Sequence, residues 1–241
     1  MVKVIISTGH YGKGMCLPGA VGNGYKEAQE AKKIVERVAK ILGRDAIAFT
    51  EQASTNQRSN LNNIVAYHNS KARALDVSVH FNAGGGTGVE VLYYSWKNTA
   101  AQWSKEIAKV LGLRDRGGKH RPELAFLRGS NKPALLIETC FIDSASDMKA
   151  YKENFEELCQ TIAKLIAEQV GIKLDVSQER KNDNNKSGSE SAHKDEIYHI
   201  TQKGETLYAI ATKHKMTVEK LKSLNKLTSN VIQIGDKLRV K

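Results

Sequence analysis

The chain of 241 residues is 40% hydrophobic, 26% charged and only 6% aromatic, which predicts one medium-sized domain with a buried core and a second, smaller one. Its 37 basic side chains outnumber its 26 acidic ones, so the formal net charge is +11 and we expect a polyanionic partner, either nucleic acid, an anionic membrane or an acidic wall polymer. No apolar run reaches the roughly 20 residues that span a bilayer, and the three cysteines fit neither a disulfide framework nor a paired-cysteine zinc site.

The first predicted element is a buried strand at residues 2–7, which ends in turn-forming residues at Thr8 and Gly9. This short stretch lacks the longer hydrophobic region and the small-residue cleavage site of a secretory signal. We therefore expect synthesis in the cytoplasm without a signal peptide.

The following elements predict an α/β domain, because apolar runs alternate with amphipathic helices, the pattern of a central, mostly parallel twisted sheet flanked by helices. Further strands are predicted at residues 46–49, 77–80, 89–94 and 134–138. Helices are predicted at residues 26–42, 56–69, 99–111 and 146–170.

A polar segment then divides the chain. Residues 175–195 read DVSQERKNDNNKSGSESAHKD and contain too few apolar side chains to offset the entropy of ordering them, which predicts a flexible linker. The linker separates a predicted domain at 1–174 from a small one at 196–241. The small domain predicts a βααβ arrangement, with strands at 197–200 and 237–240 and helices at 206–213 and 217–224.

Side chains that can bind a metal or transfer a proton lie at the ends of three predicted strands. His10 follows the first strand, and His80 and Glu138 close two others. Because the carboxyl ends of parallel strands meet at one edge of an open sheet, we expect these groups to lie together. Another carboxylate comes from the first turn of the helix at 26–42, where Glu27 is favoured and Glu30, one turn deeper, is the alternative.

Two imidazoles and one carboxylate around an open fourth position are typical of a catalytic zinc site, and Glu138 would then be the general base. Taken singly, a histidine at the end of a strand is more often a hydrogen-bonded structural residue, and Glu27 alone fits ordinary helix N-terminal electrostatics. Because these residues converge on one edge, the pattern alone supports a metal site and ordinary structural roles about equally.

Other conspicuous residues are expected to be structural. Asn82 is predicted to brace its loop, and the glycines at 84–86 are predicted to form a mobile rim of the cleft. The histidines without a partner pattern are expected to be structural or at the surface, and the cysteines to be reduced thiols, with Cys140 buried: these are His68, His120, His193, His199 and His214, and Cys16, Cys140 and Cys159.

Five segments resemble, in order, the successive motifs of the zinc amidase family Amidase_3: STGHYGKG, GAVGNGYKEAQEAKKI, TNQRSNLNNIVAYHN, DVSVHFNAGGGTGVEVLYY and NKPALLIETCFIDSASD. The resemblance covers nearly all of residues 1 to about 172. It implies that His10, Glu27 and His80 bind one Zn²⁺ and that Glu138 is the catalytic glutamate. It also implies cleavage of the peptidoglycan amide between N-acetylmuramic acid and L-alanine. Phe81 and the pair Thr139-Cys140 depart from the more frequent residues and leave fine substrate preference open.

The C-terminal string YHITQKGETLYAIATKHKMTVEKLKSLNKLTSNVIQIGDKLRV resembles a LysM module, which implies binding of N-acetylglucosamine-containing glycan. The matching groove positions are Gly204, Glu205 and Thr206 on the first loop, and Val231, Ile232 and Gln233 on the last. Residues 196–241 carry nine basic and four acidic side chains, which indicates either attraction to anionic wall polymers or merely a solvated face.

The leading hypothesis is therefore a wall-targeted zinc amidase, released by a holin or on lysis, as a phage endolysin is. One alternative is a host autolysin of the sporulating mother cell with the same activity. Another is a wall-binding protein without activity. Binding to nucleic acid is prompted only by the charge and is disfavoured, because base-reading motifs are missing.

Overall fold

A computed structural model describes residues 2–174 without a gap, and 198–201, 205–214, 216–225, 227, 232 and 236–240 of the remainder. The chain divides into two units, at residues 1–178 and 179–241. The predicted linker at 175–195 lies outside the described residues. Within the described part of the chain, no helix combines the length and hydropathy that a membrane crossing requires.

A six-stranded sheet forms the centre of the first unit, and its strand order is β4-β1-β5-β8-β6-β7. The strands of the sheet are β1 (Val4–Thr8), β4 (Ala46–Phe49), β5 (Leu75–Asn82), β6 (Val89–Tyr93), β7 (Asp115–His120) and β8 (Ala134–Phe141), and a separate hairpin consists of β2 (Val21–Gly22) and β3 (Tyr25–Lys26). The helices are α1 (Glu27–Leu42), α2 (Gln57–Asn69), α3 (Lys97–Leu111), α4 (Ala125–Gly129), α5 (Ala145–Glu153) and α6 (Phe155–Val170).

The predicted α/β class with a mostly parallel sheet is confirmed. Strands β4, β1, β5 and β8 pair in parallel. Strand β6 pairs antiparallel with β8 and parallel with β7. The reversal at β6 follows from the short connection at residues 83–88, because a crossover that returns a parallel strand needs about a dozen residues or more.

The sequence-based prediction missed strand β7 and merged two helices into one. Strand β7 was missed because its sequence, DRGGKH, contains no apolar residue; it is an edge strand that pairs only with β6. The single helix expected at 146–170 is two helices, since Asn154 leaves the helical region with φ −114° and ψ 26°. Its side-chain amide donates to the carbonyl of Ala150 at 2.9 Å and so caps the end of α5.

The two faces of the sheet are covered unequally. Helices α1, α3 and α6 lie over one face, where Val77, Val79 and Phe81 of β5 enter a large core that includes the buried ring of Trp103. The opposite face carries a much smaller cluster, built around α2 and α4. Side chains alternate along a strand, so His80 points to this second face, where less apolar material leaves room for a cavity.

Helix α1 begins where the sequence predicts it and presents one apolar stripe to the sheet. Unusually, its first turn also buries two carboxylates, Glu27 and Glu30. Gly43 ends the helix with φ +61°, a backbone conformation that glycine adopts without strain. The helix is thus held by its apolar stripe, and its N-terminus is fixed close to the end of β1.

The second unit has the expected strand, helix, helix, strand order. Its elements are β9 (Tyr198–Ile200), α7 (Leu207–Lys213), α8 (Val218–Asn225) and β10 (Lys237–Arg239). The strands pair antiparallel, with His199 opposite Leu238. Helix side chains Ile210 and Leu221 are fully buried against Leu238 in a small core.

Candidate metal and catalytic site

Four predicted site residues converge from four elements of the first unit. His10 lies two residues beyond β1, whose ladder with β5 is extended by a bond from the Gly9 N–H to the Val79 carbonyl at 3.2 Å. Glu27 is the first residue of α1, and His80 and Glu138 face each other across the parallel pair β5 and β8.

The expectation that His80 and Glu138 close their strands is wrong. Strand β5 continues to Asn82 and β8 to Phe141, and the register shifts by one residue after His80. This bulge turns Cys140 into the large core, although it lies an even number of residues after Glu138. Beyond the polar pair, Phe81, Cys140 and Phe141 are again apolar and buried, which helps to continue the strands.

His10, Glu27 and His80 form a compact cluster of ligand atoms, all within 4.8 Å of one another. Glu27 Oε1 lies 2.9 Å from His80 Nδ1 and 3.7 Å from His10 Nε2, and the two rings meet edge to face with centroids 5.2 Å apart. Glu30 is not part of this cluster. Its carboxylate instead accepts bonds from Lys33 at 2.6 Å and from the Tyr151 hydroxyl at 3.1 Å.

The second nitrogen of each imidazole has its own partner. His10 Nδ1 lies 3.1 Å from Gln57 Oε1, and His80 Nε2 lies 3.0 Å from Ser78 Oγ. Asn56 caps α2 by accepting from the Ser59 N–H at 2.9 Å, which fixes the start of the helix that carries Gln57. Partners of this kind hold the ring orientation and leave His10 Nε2 and His80 Nδ1 facing the cluster.

The electrostatics of the cluster favour an ionised carboxylate. Burial raises the pKa of Glu27, but the hydrogen bond and charge of His80 and the charge of His10 outweigh it, so the pKa lies below its usual value. Burial lowers the pKa of His10. Burial also acts to lower the pKa of His80, but the hydrogen bond to Glu27 together with the charges of Glu27 and Glu138 outweighs it and raises that pKa. The ionised carboxylate of Glu27 therefore lies between two imidazole nitrogens that can serve as metal ligands.

Glu138 lies beside this cluster on the neighbouring strand. Burial raises the pKa of its carboxyl to about 7. Its Oε2 atom is buried and accepts no hydrogen bond from the described residues. A buried acceptor without a partner is costly in a folded protein, unless a ligand or a water supplies the missing donor.

Two glycines make the approach of these side chains possible, and the sequence analysis missed both. A Cβ on Gly9 would lie 1.7 Å from His80 Cε1, and one on Gly19 would lie 2.4 Å from Glu27 Oε2. Next to Gly19, the Ala20 N–H donates to Glu27 Oε2 at 2.8 Å. The signal in the sequence is that a glycine directly precedes His10 and another opens the segment before α1.

A cavity of about 250 Å³ adjoins the cluster on the α2 and α4 side. Its walls are mainly apolar, with Leu61, Leu92, Leu124 and Phe126 among the lining residues. His10, His80 and Glu138 line one part of it together with Gln57 and Ser78, and Arg121 also contributes to the lining. Neither Gln57 nor Arg121 was predicted as a site residue. Gln57 is the first residue of α2 and Arg121 lies directly after β7, and neither position follows a pattern that indicates chemistry.

The glycine loop at 84–86 was predicted to be a mobile rim of the cleft. The N–H groups of Gly84 and Gly85 each donate to Asp143 Oδ2 at 2.8 Å, and the Gly88 N–H donates to Asp147 Oδ2 at 2.8 Å. Asn82 braces the loop as expected, because its Oδ1 accepts from the next N–H at 2.9 Å. Two carboxylates therefore tie this loop to the segment that follows β8.

The other described histidines have structural partners or lie at the surface. His68 is fully buried, with Nδ1 2.7 Å from Asp76 Oδ1, and Arg73 contacts the same carboxylate at 2.7 Å. His120 is exposed at the end of β7, and His199 lies between Glu205 and His214 at 2.8 and 3.1 Å. His193 lies outside the described residues.

The cysteines are free thiols, and Cys140 and Cys159 are buried whereas Cys16 is exposed. Burial raises the pKa of the Cys159 thiol to about 12 and that of Cys140 still further. Both buried thiols are thus kept protonated and unreactive, as expected for core residues.

Three predicted groove residues of the second unit can be located. Glu205 contacts His199, Thr206 is exposed, and Ile232 packs partly buried against the small core. Gly204, Val231 and Gln233 lie outside the described residues, so the groove stays a prediction.

Comparison with known proteins gives two matches along the chain. Residues 4–171 match the family Amidase_3, described as N-acetylmuramoyl-L-alanine amidase, and residues 199–241 match the LysM domain. A sporulation-specific N-acetylmuramoyl-L-alanine amidase of Bacillus subtilis is 33% identical over 63% of this chain and 61% of its own length. An endolysin of Bacillus phage SPP1 is 32% identical over 72% of this chain and 68% of its own length. The chain thus spans about three fifths of the sporulation protein and about two thirds of the endolysin.

Solved structures with the same fold include the catalytic domain of an endolysin targeting Clostridia Difficile, with 29% identity and a TM-score of 0.59 over 73% of this chain and 99% of that domain. The catalytic domain of an amidase from Bacillus (Paenibacillus) polymyxa var. colistinus is 23% identical, with a TM-score of 0.61 over 71% of this chain and all of that domain. At that identity the second likeness shows the fold alone.

Proposed function

Since the chain belongs to the Amidase_3 family of N-acetylmuramoyl-L-alanine amidases, we propose that it is a zinc-dependent peptidoglycan hydrolase. It cleaves the amide bond between N-acetylmuramic acid and the L-alanine of the stem peptide. The observation that carries the proposal is the cluster of His10, Glu27 and His80 beside the carboxylate of Glu138, whose buried Oε2 accepts no hydrogen bond from the described residues. The alternative of an inactive wall-binding protein is disfavoured, because all four groups are present and oriented.

The donor set fits a zinc ion. Two imidazole nitrogens and a carboxylate oxygen are the ligands of a catalytic site that keeps one position open. His10 and His80 each keep one nitrogen towards the cluster because Gln57 and Ser78 contact the other. When bound, the ion supplies Lewis-acid activation of the scissile carbonyl and of the attacking water.

Glu138 is the proposed general base. A carboxyl whose burial raises its pKa to about 7 is ionised in a substantial fraction of molecules at neutral pH and still holds a proton well. It can therefore take the proton of the attacking water and deliver it to the leaving amide nitrogen. Its free Oε2 atom gives it an acceptor that no described residue occupies.

The second unit is proposed to hold the enzyme on its substrate. We assign residues 1–174 to the catalytic domain, 175–195 to a flexible linker and 196–241 to a LysM domain that binds glycan. Tethering raises the local concentration of the catalytic domain along the wall, within the reach of the linker. The excess of basic residues in 196–241 would add attraction to anionic wall polymers.

We favour a phage endolysin over a sporulation autolysin, because the match to the phage protein covers 72% of the chain against 63% for the sporulation amidase. In this role the protein accumulates in the cytoplasm and reaches the wall through a membrane lesion. Lysis of cells that co-express a holin, without lysis of cells that express this chain alone, is the expected result. Lysis without any membrane lesion would contradict this route.

The activity is tested on purified cell walls by mass spectrometry. The full chain should release peptides with a free N-terminal L-alanine, and a chelator should stop the release until zinc is restored. The Glu138→Gln variant should bind wall but release nothing, whereas Glu153→Gln, a change at an exposed acid on α5, should keep full activity. Glycan cleavage without free L-alanine, or release unaffected by the chelator, would refute the proposal.

A further inference from the structure

The cavity beside the metal cluster holds a cation that the proposed chemistry does not use. Arg121 lies directly after β7. Its backbone N–H donates to the carbonyl of Tyr93, the last residue of β6, at 3.0 Å, which fixes the position of its backbone at this end of the sheet. Among the described residues that line the cavity, it is the one with a permanent positive charge. The charge of Arg121 also acts to lower the pKa of Glu138, against the larger effect of burial.

The guanidinium is available for a ligand. Its described side-chain partner is Glu123, two residues along the chain, and both side chains of this pair are about half exposed. Exposed ion pairs of this kind contribute little to stability, so a second carboxylate can replace or join Glu123 at little cost. A planar guanidinium binds carboxylates through two parallel hydrogen bonds, which gives it a strong preference for that group.

The shape and lining of the cavity indicate what reaches Arg121. A volume of about 250 Å³ lies just below the ~300–1,000 Å³ of pockets for drug-sized ligands, so it suits a short peptide segment better than a disaccharide. The apolar side chains of Leu61, Leu92 and Leu124 suit a methyl group next to the reacting amide. A ligand that enters from Glu138 would thus place an aliphatic residue in the cavity and an acidic group near Arg121.

We propose that Arg121 binds a carboxylate on the peptide side of the scissile amide and thereby selects stem peptides in which the residue after L-alanine keeps its free acid. In peptidoglycan this group is either a carboxylate or a carboxamide. This inference rests on the proposed amidase function, because the substrate is oriented by placing its scissile amide at His80 and Glu138.

The test uses the zinc-loaded full chain and two soluble muramoyl peptides that differ only in a carboxylate or a carboxamide at the second residue. The wild type should cleave the acid with a kcat/KM roughly tenfold or more above that of the amide, the factor expected for one charge-assisted bond. Arg121→Gln should bring the ratio close to one, mainly through KM for the acid, and Arg121→Lys should restore part of it.

The ratio is the informative quantity, since any effect of Arg121 on the pKa of Glu138 acts on both substrates and cancels. Arg128→Gln is the matched control, because Arg128 is exposed on α4 and lines a different groove; its ratio should equal that of the wild type. A wild-type ratio near one, or a ratio that survives in Arg121→Gln, overturns the inference while leaving the amidase function intact. Failure of the wild type to cleave either peptide shows instead that the proposed function is wrong, and the inference falls with it.

Discussion

Replacing Gly9 with alanine should damage the metal site while leaving the fold in place. The new Cβ would lie 1.7 Å from Cε1 and 1.9 Å from Nε2 of His80, whereas an ordinary contact needs 3.4 Å or more. The ring must therefore retreat by about 1.7 Å. It has little freedom to do so, because Glu27 and Ser78 contact its two nitrogens at 2.9 and 3.0 Å.

The magnitude follows from these contacts. Overpacking of this kind costs about 1–3 kcal/mol of the free energy of unfolding. A disturbed ligand orientation lowers metal affinity by roughly 10–100-fold, and a displacement of about 1 Å in a catalytic constellation lowers the rate by about 100-fold. We thus expect Gly9→Ala to unfold at a lower temperature and to bind zinc at least tenfold more weakly, with little activity on cell walls.

Zinc affinity of the full chain is measured by competition with a chromophoric chelator, and stability by thermal unfolding with and without zinc. Gly112→Ala is the control: its φ is +64° and no atom lies within 4 Å of the added Cβ, so it should lose about 1–2 kcal/mol of stability and keep the zinc affinity of the wild type. If Gly9→Ala binds zinc as tightly as the wild type, the close approach of Gly9 and His80 does not determine the site.

Three further predictions concern charged groups. Glu27→Gln should abolish tight zinc binding, whereas Glu30→Gln should keep it and lose stability instead, since Glu30 bonds to Lys33 and Tyr151; equal zinc loss in both variants would contradict the assignment of Glu27. The pKa of Asp76 lies below its usual value, because the bonds from Arg73 and His68 outweigh burial. The stability that the ionised carboxylate contributes is therefore present above pH ~4 and is lost as the pH falls through the lower folded-state pKa. Asp76→Asn should therefore cost about 3–5 kcal/mol in urea unfolding at pH 7, with a smaller deficit at pH 3, and a pH-independent deficit would refute this account. Zinc affinity should fall as the pH drops through the raised pKa of His80, because zinc must displace a proton from that imidazole; calorimetry in buffers of different ionisation enthalpy should show proton release on binding.

The sequence was most informative where function and sheet periodicity coincide. His10, His80 and Glu138 were placed together because parallel strands bring their ends to one edge, and Glu27 because a first-turn carboxylate lies close to that edge. The reasoning erred in treating His80 and Glu138 as strand ends, since β5 and β8 continue beyond them. A break in apolar character marks a site within a buried strand as readily as it marks the end of one.

The missed residues share a physical reason. Gly19 and Arg121 lie in segments without helical or strand periodicity, and Gln57 is a polar residue at the first position of a predicted helix. The roles of all three depend on which distant side chain they meet. Strand β7 could not be predicted because an edge strand with no apolar residue is held mainly by backbone bonds to one neighbour. The break at Asn154 was overlooked because the apolar spacing continues on both sides of it.

The pairing of His80 with Glu138 across adjacent strands has an evolutionary corollary. Because the backbone ladder between β5 and β8 sets their separation, these two groups cannot drift apart when surrounding loops are exchanged. Arg121, by contrast, sits on a connection whose length and composition can vary without disturbing the ladder. Under the proposed function, substrate preference can therefore be altered by changing that connection alone, while the pairing of His80 with Glu138 is kept.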